Sequence, residues 1–246
     1  MNHLHQVMRQ IFIQTLHKEP YPFQELIMEE YDYPRRIVKK SRQTGCSTTY
    51  ALIALVKAVL LGRDVLVVSP SERQSIHFMT YIKKFLVTLK QLIPELIVDK
   101  DNSTELSFSS GGTIKSLPNQ PNTIRGMACS DLVLDEFGHF LLDSDRDIVE
   151  AILPSMTRGI SVTFISTPYG ERGLFYSMCC DEPNNVIEAR YTECRDVDIE
   201  PIRRSMDEMS FRQEYLLEFV GEADSYFPYE LIHSCVQEDV KMVTSW

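Results

Sequence analysis

The 246-residue chain has no CxxC pair, no HExxH motif and no cluster of cysteine with histidine. Its six cysteines are Cys46, Cys129, Cys179, Cys180, Cys194 and Cys235, and the adjacent Cys179 and Cys180 make a poor disulfide or zinc framework. Free thiols in a reducing compartment are the expectation. No apolar run approaches the roughly 18 residues needed to span a bilayer. Met1–His17 carries polar residues throughout and lacks the apolar core and cleavage site of a secretory signal. These absences predict a soluble, intracellular chain with no membrane partner. Positive charge is also short: 25 Lys and Arg against 35 Asp and Glu give a net charge of −10. That argues against a domain that wraps nucleic acid over its whole surface. It leaves room for a local phosphate contact, which needs only a few well-placed cations.

What remains is ordinary globular composition, 43% hydrophobic and 24% charged, at a length that suits one large α/β domain with a small appendage. Such a chain buries a core without disulfides or metals. Helix-like and strand-like segments alternate. Ile11–His17 and Phe23–Tyr31 read as short helices, Arg35–Lys40 as a strand, Gln43–Gly45 as a turn and Ser47–Leu61 as a helix rich in Ala and Leu. Val65–Val68 follows as a buried strand. A long amphipathic helix opens at Pro70–Ser71, with Ile76, Met79, Ile82, Phe85, Leu86, Leu89 and Ile93 at the 3.6-residue period. Thr104–Phe108 and Thr113–Leu117 alternate across Gly111–Gly112 like a hairpin. Asp131–Leu134, Ser161–Ser166 and, more weakly, Val186–Tyr191 read as strands; Arg146–Leu153, Gly173–Cys179 and a last helix over Arg212–Val220 read as helices. This order predicts a mostly parallel sheet with helices on both faces. Ligands bind such sheets at the carboxyl ends of the strands, so the chemistry is expected just after Lys40, Leu134 and Ile165.

Arg35, Arg36, Lys39, Lys40 and Arg42 form a basic cluster that runs into Lys40-Ser41-Arg42-Gln43-Thr44-Gly45-Cys46-Ser47. A phosphate-binding loop has the form GxxxxGK(S/T) between a strand and a helix: backbone N–H groups cradle phosphates, a lysine reaches the β/γ oxygens and the hydroxyl holds Mg²⁺. The context fits, Gly45 and Ser47 occupy the second-glycine and hydroxyl positions, and the helix start offers free N–H groups to an anion. Two positions depart from the form. Lys40 replaces the first glycine, and the neutral Cys46 replaces the lysine. A loop curled around the β-phosphate brings its first residue near the same oxygens as its seventh, so Lys40 can supply the missing ammonium. Arg42 is the second candidate; Lys39 is the third, because strand alternation points it away from Lys40. The bland alternative for this segment alone is a solvated basic strand end before a glycine turn.

Asp131-Leu132-Val133-Leu134-Asp135-Glu136 is an apolar strand ending in two carboxylates. In ATPases with a phosphate loop, the first orders the Mg²⁺ shell and the second orients and deprotonates the attacking water. A third strand ends in Thr163-Phe164-Ile165-Ser166-Thr167-Pro168, whose small hydroxyls suit sensing of the γ-phosphate or simple turn chemistry before proline. Arg125, in Thr123-Ile124-Arg125-Gly126, reads either as a surface arginine or as a finger that stabilises charge on a transferring phosphoryl group.

Taken together, Ser41-Arg42-Gln43-Thr44-Gly45-Cys46-Ser47, Leu132-Val133-Leu134-Asp135-Glu136 and Ser166-Thr167-Pro168 resemble the ATPase half of the large terminase subunit of tailed bacteriophages and related viruses. Pro22-Phe23-Gln24 resembles the adenine-recognising Q-motif, Thr123–Gly126 the family's RG segment, and Phe211–Phe219 the helix that leads out of the ATPase domain. The likeness covers about residues 20–235. It implies an α/β P-loop NTPase of RecA-like (ASCE) type with a small helical lid or linker. Residues 1–206 would form the ATPase domain, with 1–34 as its N-terminal helical Q-motif region, and 207–246 a C-terminal helix and linker. The implied function is ATP hydrolysis that translocates double-stranded viral DNA into a procapsid. ATP and Mg²⁺ are the implied cofactors, with Gln24, Lys40, Ser41, Arg42, Gln43, Thr44, Gly45, Cys46, Ser47, Thr48, Ser166 and Thr167 around the nucleotide and Ser47 and Asp135 on the metal. Glu136, Asp135, Lys40 and Arg125 would carry the chemistry, with Arg125 acting on a neighbouring copy in a ring. The implied partners are other copies of the chain, the viral portal or procapsid and the small terminase subunit, in the cytoplasm of the infected host cell. The residues after the exit helix are too few for the RNase H-like nuclease that terminases carry, so no nuclease activity is expected. Two other readings remain: a DEAD-like helicase fragment, which would need a second RecA-like domain, and a non-catalytic nucleotide-binding scaffold in which Cys46 marks a decayed site.

Overall fold

A computed structural model describes residues 3–120, 127–140, 142–152 and 161–221. Its framework is one eight-stranded sheet in the order β3-β4-β5-β2-β6-β7-β1-β8. The strands are β1 (Arg35–Lys40), β2 (Asp64–Ser69), β3 (Val98–Asp101), β4 (Glu105–Phe108), β5 (Thr113–Pro118), β6 (Asp131–Asp135), β7 (Ser161–Ser166) and β8 (Val186–Ala189). From β5 to β8 every neighbouring pair is parallel, and β3 and β4 add an antiparallel edge.

Strand alternation divides the apolar side chains between two cores. Val38, Val65, Val67, Val133, Ile165 and Ile187 face helices α1 (His3–Leu16), α2 (Pro22–Glu29), α3 (Cys46–Leu61) and α4 (Glu72–Leu92). Ile37, Leu66, Val68, Leu132, Leu134, Val162 and Phe164 face the other way, towards α5 (Leu142–Ile152) and α6 (Gly173–Asp181). Strands buried on both sides are why β2, β6 and β7 read as near-continuous apolar runs. Helix α3 lies within the first core, with residues such as Leu52, Ala54, Leu55 and Val56 at most 1% exposed, so its sequence is apolar nearly all round. Two short helices, α7 (Glu200–Ser205) and α8 (Glu208–Glu214), follow β8. Among the described residues no helix is long and apolar enough to cross a membrane.

Several elements differ from the sequence expectation. The first helix begins at His3 and not Ile11, because Leu4, Met8, Ile11, Phe12 and Thr15 pack at helical spacing between polar residues. Strand β3 was not expected. It is an edge strand with one partly buried residue and three exposed charged ones, so it carries no alternation signal. The last helix among the described residues is Glu208–Glu214, not Arg212–Val220. Asp207 caps it by accepting the Ser210 N–H at 2.9 Å, and Leu217 turns the chain with φ 64°. The apolar residues Tyr215, Leu217 and Val220 are buried beyond the helix end. The segment 207–221 thus lies against the rest of the fold; residues 222–246 lie outside the described part.

Candidate active site

The carboxyl ends of β6, β7 and β1 are neighbours in the sheet, so the three sequence segments singled out after Lys40, Leu134 and Ile165 meet at one edge. Parity then decides what faces what. Lys40 shares the side of Val38, and Asp135 that of Val133; both therefore point towards α3, whose first residues follow the loop 41–45. Lys39 lies on the opposite side, paired with Glu188 at 2.6 Å and 5.8 Å from the Phe219 ring centroid.

The loop itself is held by its polar residues. Ser41 is fully buried: its N–H donates to Ala189 O at 2.8 Å, its hydroxyl donates to Tyr215 O at 2.7 Å, and the Tyr191 N–H donates to that hydroxyl at 3.1 Å. The Arg42 N–H donates to Glu214 O at 2.7 Å, and its guanidinium pairs with the Glu214 carboxylate. Thr44 returns its hydroxyl to Ser41 O at 3.0 Å. Gln43 and Gly45 both lie in the left-handed region, with φ 60° and 76°. Gly45 also packs against Gln24, whose Nε2 would stand 3.0 Å from an added Cβ. The Thr49 N–H makes the first intrahelical bond of α3, to Gly45 O at 3.0 Å. The N–H groups of Cys46, Ser47 and Thr48 precede it and form the helix's free positive end.

The cleft above this loop has a volume of about 240 Å³ and is bordered by Lys40, Arg42–Thr48, Gln74, His77, Phe78, Tyr81, Asp135 and Glu136. Within it the Ser47 hydroxyl donates to Asp135 at 2.8 Å, and Lys40 Nζ donates to Glu136 Oε1 at 2.7 Å. Glu136 has φ 53°, a strained conformation for a non-glycine residue. Its second oxygen, Oε2, is buried with no hydrogen-bond partner.

Electrostatics separate the two carboxylates. Burial and the neighbouring Glu136 charge push Asp135 up to about 6, against the pull of Lys40 and Ser47. Burial opposes ionisation of Glu136 as well, but the charge and hydrogen bond of Lys40 hold it below the usual carboxylate range. Lys40 is desolvated too, yet the charges of Glu136 and Asp135 keep its ammonium above its ordinary value. Burial pushes the Cys46 thiol up to about 12, so it is neutral at physiological pH. A cation therefore stands in the cleft, and it comes from position 40.

The structure places the remaining expected residues differently from one another. Arg42, Gln43, Thr44, Gly45, Cys46, Ser47 and Thr48 border the cleft. Gln24 lies beneath the loop and not on the cleft wall: its Nε2 donates to Thr44 O at 3.2 Å and its Oε1 accepts the Tyr21 N–H at 3.0 Å. Ser166 and Thr167 engage the turn after Glu136. The Gly138 N–H donates to Ser166 Oγ at 3.0 Å, and Thr167 Oγ1 lies 2.7 Å from His139 Nε2. Arg125 falls outside the described residues. Sequence reasoning missed Gln74, His77, Phe78 and Tyr81, which the period marked only as the start of an amphipathic helix, and His139, three positions beyond the acidic pair.

Fold and cleft together define a P-loop nucleoside-triphosphatase fold of RecA-like type. In fold the chain is similar to the ATPase domains of phage large terminases. The ATPase domain of the Thermus phage P74-26 large terminase matches with a TM-score of 0.69 at 20% identity, covering 85% of this chain and 97% of that one. The large terminase of a thermophilic bacteriophage, in complex with ADP, matches with 0.66 at 12% identity over 81% of this chain and 53% of that one. The HK97 bacteriophage large terminase matches with 0.63 at 16% identity over 89% and 48%. The chain thus spans about half the length of these last two proteins. No protein-family model matches the sequence, and no curated protein matches it.

Proposed function

We propose that this chain hydrolyses ATP in the cleft above residues 40–48 and that the work extracted is the packaging of double-stranded viral DNA. The observation that carries the reading is the pairing of Ser47 with Asp135 beside the pairing of Lys40 with Glu136, at three adjoining strand ends. A scaffold with a decayed site has no need of a buried ammonium paired with Glu136 beside a second, buried carboxylate.

The loop N–H groups and the start of α3 receive the phosphates. Lys40 neutralises the β/γ oxygens in place of the usual lysine, with Arg42 at the rim. Ser47 and Asp135 offer one hydroxyl and one carboxylate, both hard oxygen donors, which suits Mg²⁺ shared with substrate phosphates and water. Among the described residues no three His, Cys, Asp or Glu side chains gather around a metal position. When bound at Ser47 and Asp135, the metal would supply positive charge that offsets the charge of the phosphates. Glu136 deprotonates the attacking water through Oε2, the oxygen that Lys40 leaves free. Ser166 and Thr167 tie the end of β7 to the turn that carries Glu136 and pass on γ-phosphate loss. Gln24 braces the loop from below, and an adenine contact requires its two backbone bonds to open.

Double-stranded DNA, further copies of the chain in a ring, a portal or procapsid and a small terminase subunit are the partners this reading brings, with Arg125 reaching into the neighbouring copy in the cytoplasm of an infected cell. Residues 1–206 form the motor proper and 207–246 the way out of it. The likeness in fold to phage large-terminase ATPase domains supports a packaging-motor role, and the named partners and the Arg125 role follow from the motif resemblance.

The test is ATP turnover. Glu136→Gln is expected to lower kcat by about 100-fold or more, the scale of a lost general base. Lys40→Ala should weaken ATP binding far more than Cys46→Ala does. Undiminished hydrolysis by Glu136→Gln rejects the base, and the reverse order of the other two variants rejects the relocated lysine. Nucleotide binding with no hydrolysis, even at high protein concentration, favours a scaffold.

A further inference from the structure

Gln74 sits in the first turn of α4, remote in sequence from every segment used above. It borders the cleft over the phosphate loop, and it also borders a second cleft of about 350 Å³ lined by Arg42, Pro70, Glu136, His139, Thr167 and Glu214. Arg42, Gln74 and Glu136 are the residues the two clefts share. The shared rim is therefore where the base meets both spaces. Glu136 lines both clefts, and its Oε2 is buried without a hydrogen-bond partner. The Arg42 guanidinium is turned to Glu214.

The Gln74 carboxamide is held by the residue that caps its own helix. The Ser71 hydroxyl donates to Gln74 Oε1 at 2.8 Å while accepting the Gln74 backbone N–H at 3.3 Å. One hydroxyl hydrogen and one lone pair account for both bonds. With its oxygen engaged at Ser71, the carboxamide of this rim residue still has two N–H donors to give.

We infer that Gln74 is a phosphate-contacting residue of the hydrolysis reaction, donating an amide N–H to an oxygen of the γ-phosphoryl group beside Glu136. The inference rests on the ATPase reading of the cleft. In the step it serves, the water oxygen bonds to the γ-phosphorus, the bond from that phosphorus to the bridging oxygen breaks, and ADP leaves. The water proton passes to Glu136 Oε2. The Gln74 amide loses nothing in the step; it fixes the phosphoryl oxygens while charge redistributes over them.

The whole chain is compared with its Gln74→Ala, Gln74→Glu and Ser71→Ala variants. Calorimetry gives the affinities for Mg-ADP and for the non-hydrolysed imidotriphosphate analogue of ATP, and a phosphate-release assay gives turnover. Gln74→Ala is expected to hold ADP affinity near the wild-type value and to weaken the triphosphate analogue by about 10-fold, the worth of one hydrogen bond to a charged group. Its kcat should fall about 100-fold, as when one preorganised donor is removed. Gln74→Glu, with a carboxylate facing the phosphate, should lose more triphosphate affinity, and Ser71→Ala should follow Gln74→Ala at reduced size. Unchanged turnover and unchanged triphosphate preference in Gln74→Ala overturn the inference and leave the ATPase reading intact. Equal weakening of ADP and triphosphate also overturns it, because that marks a disturbed cleft and not a γ-phosphate contact. Failure of the unaltered chain to bind either nucleotide overturns the ATPase reading, and this inference with it.

Discussion

Asp135 and Glu136 are consecutive, yet one cation treats them differently. Lys40 gives its hydrogen bond to Glu136, which ionises readily, while Asp135 is left with Ser47 and with the repulsion of its neighbour. Its folded value, about 6 against an ordinary 3.8, means that the fold prefers the neutral acid. The associated stability is therefore fully present below pH ~3.8 and is lost as pH rises through about 6. Asp135→Asn is expected to stabilise the nucleotide-free protein at pH 7.5 by about 3 kcal/mol, since each tenfold change in proton affinity is worth about 1.4 kcal/mol, and to gain little at pH 3.5. Urea denaturation at the two pH values checks the sign; destabilisation at pH 7.5 refutes it. The residues behind this cost were partly legible beforehand. Alternation alone separated Lys40 from Lys39, and the motif spacing paired Ser47 with Asp135. The roles of Ser41 and Gln24 were not, because their partners, Tyr215 O and Thr44 O, are brought to them only by the folded chain.

Between elements, the turn after Glu136 is where β6 and β7 communicate. Gly138 lies so close to β7 that an added Cβ would stand 2.9 Å from Ser166 Oγ and 3.2 Å from Thr167 O. Ser166 is fully buried, and its oxygen accepts the Gly138 N–H. Ser166→Ala leaves that N–H without its acceptor, a cost of about 1–3 kcal/mol. It should also relax the positive φ of Glu136, so kcat is expected to fall while ADP affinity holds. Denaturation midpoints and steady-state kinetics read the two effects, and wild-type values in both would dismiss the contact. Elements with strong periodicity or continuous apolar character, α3, α4, β2, β6 and β7, were visible in the sequence. Strand β3 was invisible because its exposed charges hide an edge strand. The end of the last helix was misplaced because Tyr215, Leu216, Leu217, Phe219 and Val220 look helical by hydropathy, yet no helix continues beyond Glu214.

Across the whole molecule, β6 carries an acid at each end with opposite purposes. Asp135 borders the cleft above residues 40–48. Asp131 starts the strand about 13 Å away, at about 3.3 Å per residue, and is only 2% exposed. There Lys57 of α3 pairs with it, donating also to Ser161 Oγ at 3.0 Å, while that hydroxyl donates to Asp131 at 2.7 Å. Arg63 stands 3.6 Å from the same carboxylate and also pairs with Asp32. This network ties α3, which begins just after the loop 41–45, to the far edge of the strand that ends in Asp135. Burying such a pair adds little net stability, but removing one member strands the other. Lys57→Met is accordingly expected to cost about 3 kcal/mol, with Arg63 sparing part of the roughly 3–5 kcal/mol typical of a broken buried pair. Lys57→Met with Asp131→Leu should regain much of that loss, because no charge is then left unpaired. Nucleotide affinity of the folded fraction should match the unaltered chain in both cases, since the cleft lies at the other end of the strand. Urea denaturation gives the stabilities and calorimetry the affinity. A double variant no more stable than Lys57→Met would show that the network holds the sheet edge through its geometry and not through compensation of charge.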